Sequence, residues 1–114
     1  MFIALQVSIS LISALRPIVR AIRVRDRSLA DQLQRAATSI SLNLAEGAER
    51  IGGDQQQLYR VAAGSCAEVR AALAVAIAWG YLEGIVAKSA SDLIDRQAAR
   101  LYRLAHKRFA KPPQ

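Results

Sequence analysis

The chain has 114 residues, of which 53% are hydrophobic, and carries a formal net charge of +7 at pH 7. This length predicts one domain spanning residues 1–114, and the helical spacing of the apolar residues predicts an all-α fold. A single cysteine and a single histidine exclude an intramolecular disulfide, a zinc site and the Glu-x-x-His pairs of di-iron bundles, so neither a metal nor a cofactor is expected.

Turn signals divide the chain into four predicted helices with short connections. The four helices span about residues 3–24, 29–50, 54–79 and 85–109. Pro17 predicts a kink or a break in the first helix, Asp26 or Ser28 is a candidate cap of the second, and Asp54 with Gln57 resembles a capping box of the third. The predicted apolar stripe of the first helix comprises Leu5, Ile9, Ile12, Val19 and Ile22. Four such helices with short loops predict an antiparallel up-down-up-down four-helix bundle.

Polar side chains recur at helical spacing beside the apolar stripes of the second and third helices. These residues are Ser39, Asn43, Glu46, Ser65 and Glu68. Because polar groups beside a core need partners, we expect a hydrogen-bonded cluster that fixes helix register, with a partly desolvated Glu68. The alternative is an acid/base pair of Glu46 and Glu68. No nucleophile, metal ligand or second base accompanies these carboxylates, so the sequence predicts a protein that is not an enzyme.

The C-terminal half of the third helix, residues 71–79, is apolar on every side. A helix of a monomeric bundle keeps one face in water, so this pattern predicts contact with another copy of the chain. The candidate interface residues are Ala71, Ala74, Val75, Ala78 and Trp79. The alternative is that alanine, a good helix former, is simply tolerated on the surface.

Basic residues form two rows at helical spacing. The first basic row is Arg16, Arg20, Arg23 and Arg27, and the second basic row is Arg96, Arg100, Arg103 and Lys107. If both rows point the same way, they join into one positive strip that suits a nucleic-acid backbone. Such a strip would bind with an affinity that depends on salt concentration and with little sequence specificity. The alternative is two solvated faces, partly neutralised by Asp92, Asp95 or Glu49. Because aromatic residues make up only 5% of the chain, stacking platforms for single strands are not expected.

Three segments resemble the signatures of the bacterial four helix bundle protein family. They are residues 32–47 (QLQRAATSISLNLAEG), residues 63–68 (AGSCAE) and residues 79–82 (WGYL). The resemblance covers about residues 15–108 and implies a four-helix bundle that assembles as a ring-shaped homopentamer. Members of the family include proteins encoded in intervening sequences of large-subunit ribosomal RNA genes. They also include a nucleic-acid-binding accessory protein of diversity-generating retroelements, which works beside a reverse transcriptase.

Two functions follow as expectations. The first is a cytoplasmic, non-enzymatic homo-oligomer whose basic rows bind RNA or DNA backbone. The second is a structural or adaptor ring that binds a protein partner, such as a reverse transcriptase, through the same rows. A lone Cys66 fits a reducing compartment. Residues 1–15 are uncharged but lack a basic leader and are too short to span a bilayer, so no membrane role is expected.

Overall fold

The computed structural model describes residues 2–107, and these residues form four α-helices and no β-strand. The helices are α1 (Ile3–Arg25), α2 (Arg27–Ala48), α3 (Gly52–Ala78) and α4 (Gly84–Ala105). Each helix contacts the next along the chain, and α1 also contacts α4, so the four helices surround one core. The prediction of an all-helical chain with four helices is confirmed.

The helix α4 ends earlier than the sequence suggested. It stops at Ala105 instead of about residue 109, and His106 leaves the helical conformation with φ of −112° and ψ of 13°. The side chain of Gln56 on α3 supplies the physical reason. Its Nε2 donates hydrogen bonds to the carbonyl oxygens of Ala105 (2.8 Å) and Lys107 (3.1 Å), which replaces further helical bonding at this end. Residues 108 and 109 lie outside the described part of the chain.

A short turn centred on Asp26 separates α1 from α2. Asp26 has extended backbone geometry, and its Oδ1 accepts a hydrogen bond from the Leu29 N–H at 2.9 Å, which is the expected N-cap interaction. Pro17 does not divide α1, so the predicted break is wrong. Pro17 is exposed, and water can therefore replace the hydrogen bond that its missing N–H removes.

The start of α3 also differs from the prediction. The chain enters α3 at Gly52, whose φ of +62° suits a residue without a Cβ, and Ile51 occupies the N-cap position without a side-chain hydrogen bond. The expected capping box of Asp54 and Gln57 is therefore wrong. Asp54 lies instead within the first helical turn, where its negative charge is favourable beside the helix dipole.

Large aliphatic side chains from all four helices fill the core. Fully buried members include Leu11, Leu15, Ile22, Leu33, Ile40, Leu44, Val69, Ile94 and Leu101. Burial of each large aliphatic side chain stabilises the fold by roughly 1.5–3 kcal/mol. The expected stripe of α1 is shifted, because Ile9 is 44% exposed while Ser8 and Leu11 are buried.

Buried polar side chains connect α1 to both of its neighbours. Ser8 Oγ lies 2.9 Å from Ser41 Oγ on α2. Gln97 on α4 is fully buried, and its Nε2 donates a 2.7 Å hydrogen bond to the carbonyl oxygen of Ala4. These contacts satisfy polar groups inside the bundle and fix the position of α1 along α2 and α4.

Apolar residues also lie on the outside of the bundle. By length and composition, Ile3–Arg25 and Gly52–Ala78 are each apolar enough to cross a membrane. Only 28% and 33% of the residues in their most apolar stretches are buried, although both helices supply core residues. The helices α1 and α3 therefore present apolar side chains outside the core as well as inside it.

Candidate nucleic-acid interface

A groove between α1 and α2 is lined by three arginines of the first basic row, Arg16, Arg20 and Arg23. These residues lie next to the buried stripe of α1 because they follow it at helical spacing. The groove has a volume of about 260 Å³, and its lining also includes the partly exposed apolar side chains of Ile12 and Val19. Guanidinium groups over an apolar floor can bind an anion while their methylene stems remain packed.

One arginine of the groove is held by α2. Arg23 Nη1 donates to Asp31 Oδ1 at 2.6 Å, and Nη2 donates to Gln34 Oε1 at 2.9 Å. The Arg23 hydrogen bond holds the pKa of Asp31 below its ordinary value. Within residues 2–107, Arg16 and Arg20 form no ion pair, so their charges face the groove without neutralisation.

Three members of the second basic row lie on α4 and Lys107 lies just beyond its end, and none of the four forms an ion pair with a described residue. Arg96, Arg103 and Lys107 are exposed, and Arg100 is half-buried. Arg100 Nη1 donates to Gln97 Oε1 at 3.1 Å, which anchors this member of the row to the core. The other three side chains are available to an external anion.

The acidic residues that would neutralise the rows in the alternative interpretation do not pair with them. Asp95 pairs with Arg70 on α3, with a distance of 3.1 Å between Oδ1 and Nη2. Asp92 pairs with Lys88 one turn earlier on α4, at 3.2 Å. Glu49 is exposed at the end of α2. These three carboxylates therefore neutralise no member of either row, and among the described residues Asp31 is the carboxylate that pairs with a row member, Arg23.

The two rows do not join into one strip. Arg16, Arg20 and Arg23 line the groove between α1 and α2, and Arg23 contacts Asp31, so these three members lie on the side of α1 that faces α2. Arg27 is not on α1, because α2 begins at this residue. On α4, Asp95 points toward α3, and the helical repeat turns Arg96 and Arg100 toward the other side, next to α1. The expected single strip is therefore wrong, and two basic surfaces lie on neighbouring sides of the bundle.

Three of the five predicted polar-cluster residues form hydrogen bonds with one another. Ser65 Oγ donates to Ser39 Oγ at 2.9 Å, which joins α3 to α2. Asn43 Nδ2 donates to the backbone oxygen of Ser39 at 2.9 Å and to its Oγ at 3.0 Å. The three side chains are half-buried, and the arrangement aligns the two helices.

The two carboxylates lie outside this cluster. Glu68 is exposed, because the helical repeat places its neighbours Cys66 and Val69 in the core and turns Glu68 outward. The expected desolvation of Glu68 is therefore wrong for the single chain. Glu46 is also exposed and pairs with Arg50 at 3.2 Å, one turn later on α2. Among the described contacts, the two carboxylates share no hydrogen bond.

The five candidate interface residues lie on the outside of α3 and at its C-terminal end. All five are exposed on the single chain: Ala71, Ala74, Val75, Ala78 and Trp79. Val75 is 43% exposed and Trp79 is 68% exposed, and the Trp79 ring stacks on Tyr81 with 6.5 Å between ring centroids. This apolar outer face of α3 is a surface that a second protein can cover.

Residues 3–103 match the family model of the 23S rRNA-intervening sequence protein. The chain belongs to this family. The family resemblance carried by residues 32–47, 63–68 and 79–82 is thereby confirmed. No curated protein matches the chain significantly.

The fold of this family member is similar to a solved crystal structure. That protein, of unknown function and from the S23 ribosomal protein family, comes from Bacteroides thetaiotaomicron VPI-5482. The likeness has a TM-score of 0.81 at 16% sequence identity and covers 92% of this chain and 100% of the other. At this identity the likeness shows a shared fold.

Sequence reasoning missed an aromatic pair at the end of α4. Tyr102 is 63% exposed, and its ring centroid lies 4.0 Å from that of His106, with 23° between the ring planes. The signal was present in the sequence as a spacing of four residues, which places two side chains on the same helix face. The pair lies beside the second basic row, because Arg103 and Lys107 each follow one of its members.

Proposed function

We propose that this member of the 23S rRNA-intervening sequence protein family is a cytoplasmic, non-enzymatic homo-oligomer that binds RNA or DNA through the sugar-phosphate backbone. The observation that carries the proposal is the set of basic side chains that lie outside ion pairs in residues 2–107. The members of the two basic rows in this set are Arg16, Arg20, Arg27, Arg96, Arg100, Arg103 and Lys107, and Arg25, Arg35 and Arg60 also lie outside ion pairs. The RNA in the family description supports the same reading.

The arrangement of these charges favours backbone contacts over base recognition. Arginine forks match phosphate oxygens in pairs, and each neutralised phosphate of a duplex releases counterions. Contacts to phosphate fix position without reading sequence. The salt dependence of affinity is therefore expected to be steep, with a slope of roughly −0.9 per phosphate contact on a duplex.

The oligomer is part of the proposal. The outer face of α3 carries small and apolar residues from Ala71 to Trp79, and covering it with a different face of another copy removes this area from water. Such a head-to-tail contact, repeated between successive copies, closes a ring. The family resemblance implies a ring of five chains. A ring repeats both basic surfaces around its circumference, which multiplies the contacts to one long nucleic acid.

A titration across salt concentrations tests the nucleic-acid proposal. The anisotropy of a labelled RNA and of a labelled DNA duplex is measured against the protein and against two double variants that each remove two positive charges. Arg96→Gln with Arg103→Gln is expected to weaken binding to all sequences alike, while Arg70→Gln with Lys88→Gln changes ion-paired residues outside the rows and is expected to have a smaller effect. The proposal would be overturned if the protein did not bind at low salt, or if its affinity did not change with salt concentration.

Sedimentation equilibrium tests the oligomer. The chain has a mass of 12.4 kDa, and a mass several times larger is expected. Ala74→Glu places a charge on the outer face of α3 and is expected to lower the assembled mass, whereas Ala45→Glu on the exposed side of α2 is expected to leave it unchanged. A mass of one chain for the unaltered protein would exclude the oligomer.

A second candidate function is an adaptor for an acidic protein such as a reverse transcriptase. The apolar floor of the α1–α2 groove favours it, because Ile12 and Val19 offer apolar contact to a protein side chain in addition to the charge of the arginines. The labelled chain is used to capture partners from nuclease-treated lysate. A specific protein retained after nuclease treatment supports the adaptor, and loss of all partners supports the nucleic acid.

A further inference from the structure

The end of α4 presents an exposed aromatic stack, formed by Tyr102 and His106. The ring centroids are 4.0 Å apart and the planes are 23° from parallel, which is close stacking. The His106 Nδ1 atom lies 2.9 Å from the carbonyl oxygen of Tyr102, and this contact orients the imidazole over the phenol ring. Tyr102 is 63% exposed, so a large part of its surface faces water.

The aromatic stack is held in place from α3. Gln56 Nε2 donates hydrogen bonds to the carbonyl oxygens of Ala105 and Lys107, at 2.8 Å and 3.1 Å, on both sides of His106 in sequence. This tether fixes the last turn of α4 against α3. A platform whose backbone is already ordered loses little conformational freedom when a ligand binds to it.

Positive charges run beside the aromatic stack. Arg103 follows Tyr102 in the last turn of α4, and Lys107 follows His106 just beyond the end of the helix, so a basic residue adjoins each ring in sequence. Arg103 and Lys107 are exposed and form no ion pair with any described residue. The surface therefore combines flat rings with phosphate-binding groups at neighbouring positions.

We infer that the aromatic stack binds unpaired bases of single-stranded RNA or DNA, while Arg103 and Lys107 bind the adjoining phosphates. This inference rests on the proposed nucleic-acid function and refines it to a preference for single strands. In a duplex the faces of the bases are already stacked inside the helix, so Tyr102 can add nothing to the phosphate contacts. In a single strand the rings contribute stacking that every base can provide, whatever the sequence.

Substitution of Tyr102 separates stacking from charge. In the full chain, Tyr102→Ala is expected to weaken binding of an oligo(U) RNA by about 5- to 150-fold, and to change binding of a DNA duplex by less than about twofold. Tyr102→Trp is expected to retain or strengthen binding of the oligo(U). Ile85→Ala is the matched control, because it also removes an exposed apolar side chain from α4 and should leave both affinities unchanged.

Fluorescence gives an independent readout. In a Trp79→Phe background, Tyr102→Trp introduces the only indole of the protein at the aromatic stack. Saturation with oligo(U) is expected to quench this indole, whereas saturation with the DNA duplex is expected to leave its emission nearly unchanged. Circular dichroism of each variant establishes that the helices are retained.

The outcomes distinguish this inference from the broader function. If Tyr102→Ala leaves oligo(U) binding unchanged while Arg96→Gln with Arg103→Gln weakens it, base stacking is overturned and backbone binding stands. Equal weakening of oligo(U) and duplex by Tyr102→Ala would also overturn stacking. If the unaltered protein binds neither nucleic acid at low salt, the broader function fails together with the inference.

Discussion

Gly47 on α2 lies directly against the ring of Tyr59 on α3. A methyl group added at Gly47 would come within 2.7 Å of Tyr59 Cε1 and 3.3 Å of Leu58 Cβ. The Tyr59 ring is only 7% exposed, and its centroid lies 6.3 Å from that of Phe2, so it has little room to move. The glycine that ends the signature of residues 32–47 therefore permits close approach of two helices.

The contact predicts that Gly47→Ala destabilises the fold. Alanine gains roughly 1 kcal/mol of helix propensity, but forcing a methyl group into a packed site costs roughly 1–3 kcal/mol. We expect a net loss of about 1 kcal/mol in the free energy of unfolding, measured in urea. Gly53→Ala is the control, because no heavy atom lies within 4 Å of the added methyl group. A Gly47→Ala protein more stable than the original would contradict this account.

The core of α2 was predictable from the sequence, and that of α1 was not. On α2, Leu33, Ile40 and Leu44 repeat at helical spacing and are all fully buried, because polar residues separate them clearly. On α1, apolar residues occur on nearly every side, so periodicity defines no single face. The packing of α1 against α2 and α4 instead determines its buried face, which includes Ser8 and leaves Ile9 44% exposed.

The candidate site was predictable in its residues but not in its layout. Helical spacing groups Arg16 with Arg20, and Arg96 with Arg100, from the sequence alone. The neighbour that each row faces depends on how the four helices pack, which spacing does not encode. For the same reason, helical spacing does not indicate that Gln97 is fully buried and contacts α1.

Substitution of Gln97 tests this buried contact. Gln97→Leu is close in size but can neither donate to the Ala4 carbonyl oxygen nor accept from Arg100. Because a net hydrogen bond contributes about 0.5–1.5 kcal/mol, we expect the two losses to lower the free energy of unfolding by about 1–2 kcal/mol. Gln57→Leu on the exposed side of α3 is the matched control. Equal effects of the two substitutions would show that the buried contacts contribute nothing.

Cys66 is predicted to be unreactive in the folded protein. Its side chain is fully buried, and burial raises the pKa of the thiol, which lowers the fraction of nucleophilic thiolate. In mildly alkaline buffer, we expect modification by a disulfide reagent to be at least about 100-fold slower than in concentrated guanidinium chloride.

A relocated thiol provides the control for Cys66. In a Cys66→Ala background, Ser89→Cys places a thiol on the exposed side of α4, and it is expected to react rapidly without denaturant. Rapid modification of Cys66 in the native protein would mean that the core between α3 and α4 opens readily.

The pairing of Arg23 with Asp31 limits the positive charge of the α1–α2 groove. Asp31→Asn removes the carboxylate that holds Arg23 Nη1 at 2.6 Å, so one more guanidinium becomes available to a phosphate. We expect tighter binding of RNA and duplex DNA, with a salt slope steeper by about 1. Asp54→Asn makes the same change in net charge at the start of α3 and is expected to have a smaller effect. Equal effects of both would indicate that only overall charge matters.

The same pair predicts a pH dependence of stability. The Arg23 hydrogen bond lowers the pKa of Asp31 in the folded state below its ordinary value of 3.8. A carboxyl group with a lowered pKa stabilises the fold above its unfolded pKa, and this contribution is lost as the pH falls through the folded value. The difference in unfolding midpoint between the original protein and Asp31→Asn is therefore expected at neutral pH and should shrink in acid below about pH 4. A difference that stays constant down to strong acid would show that the pair stabilises the fold by something other than the ionised carboxylate.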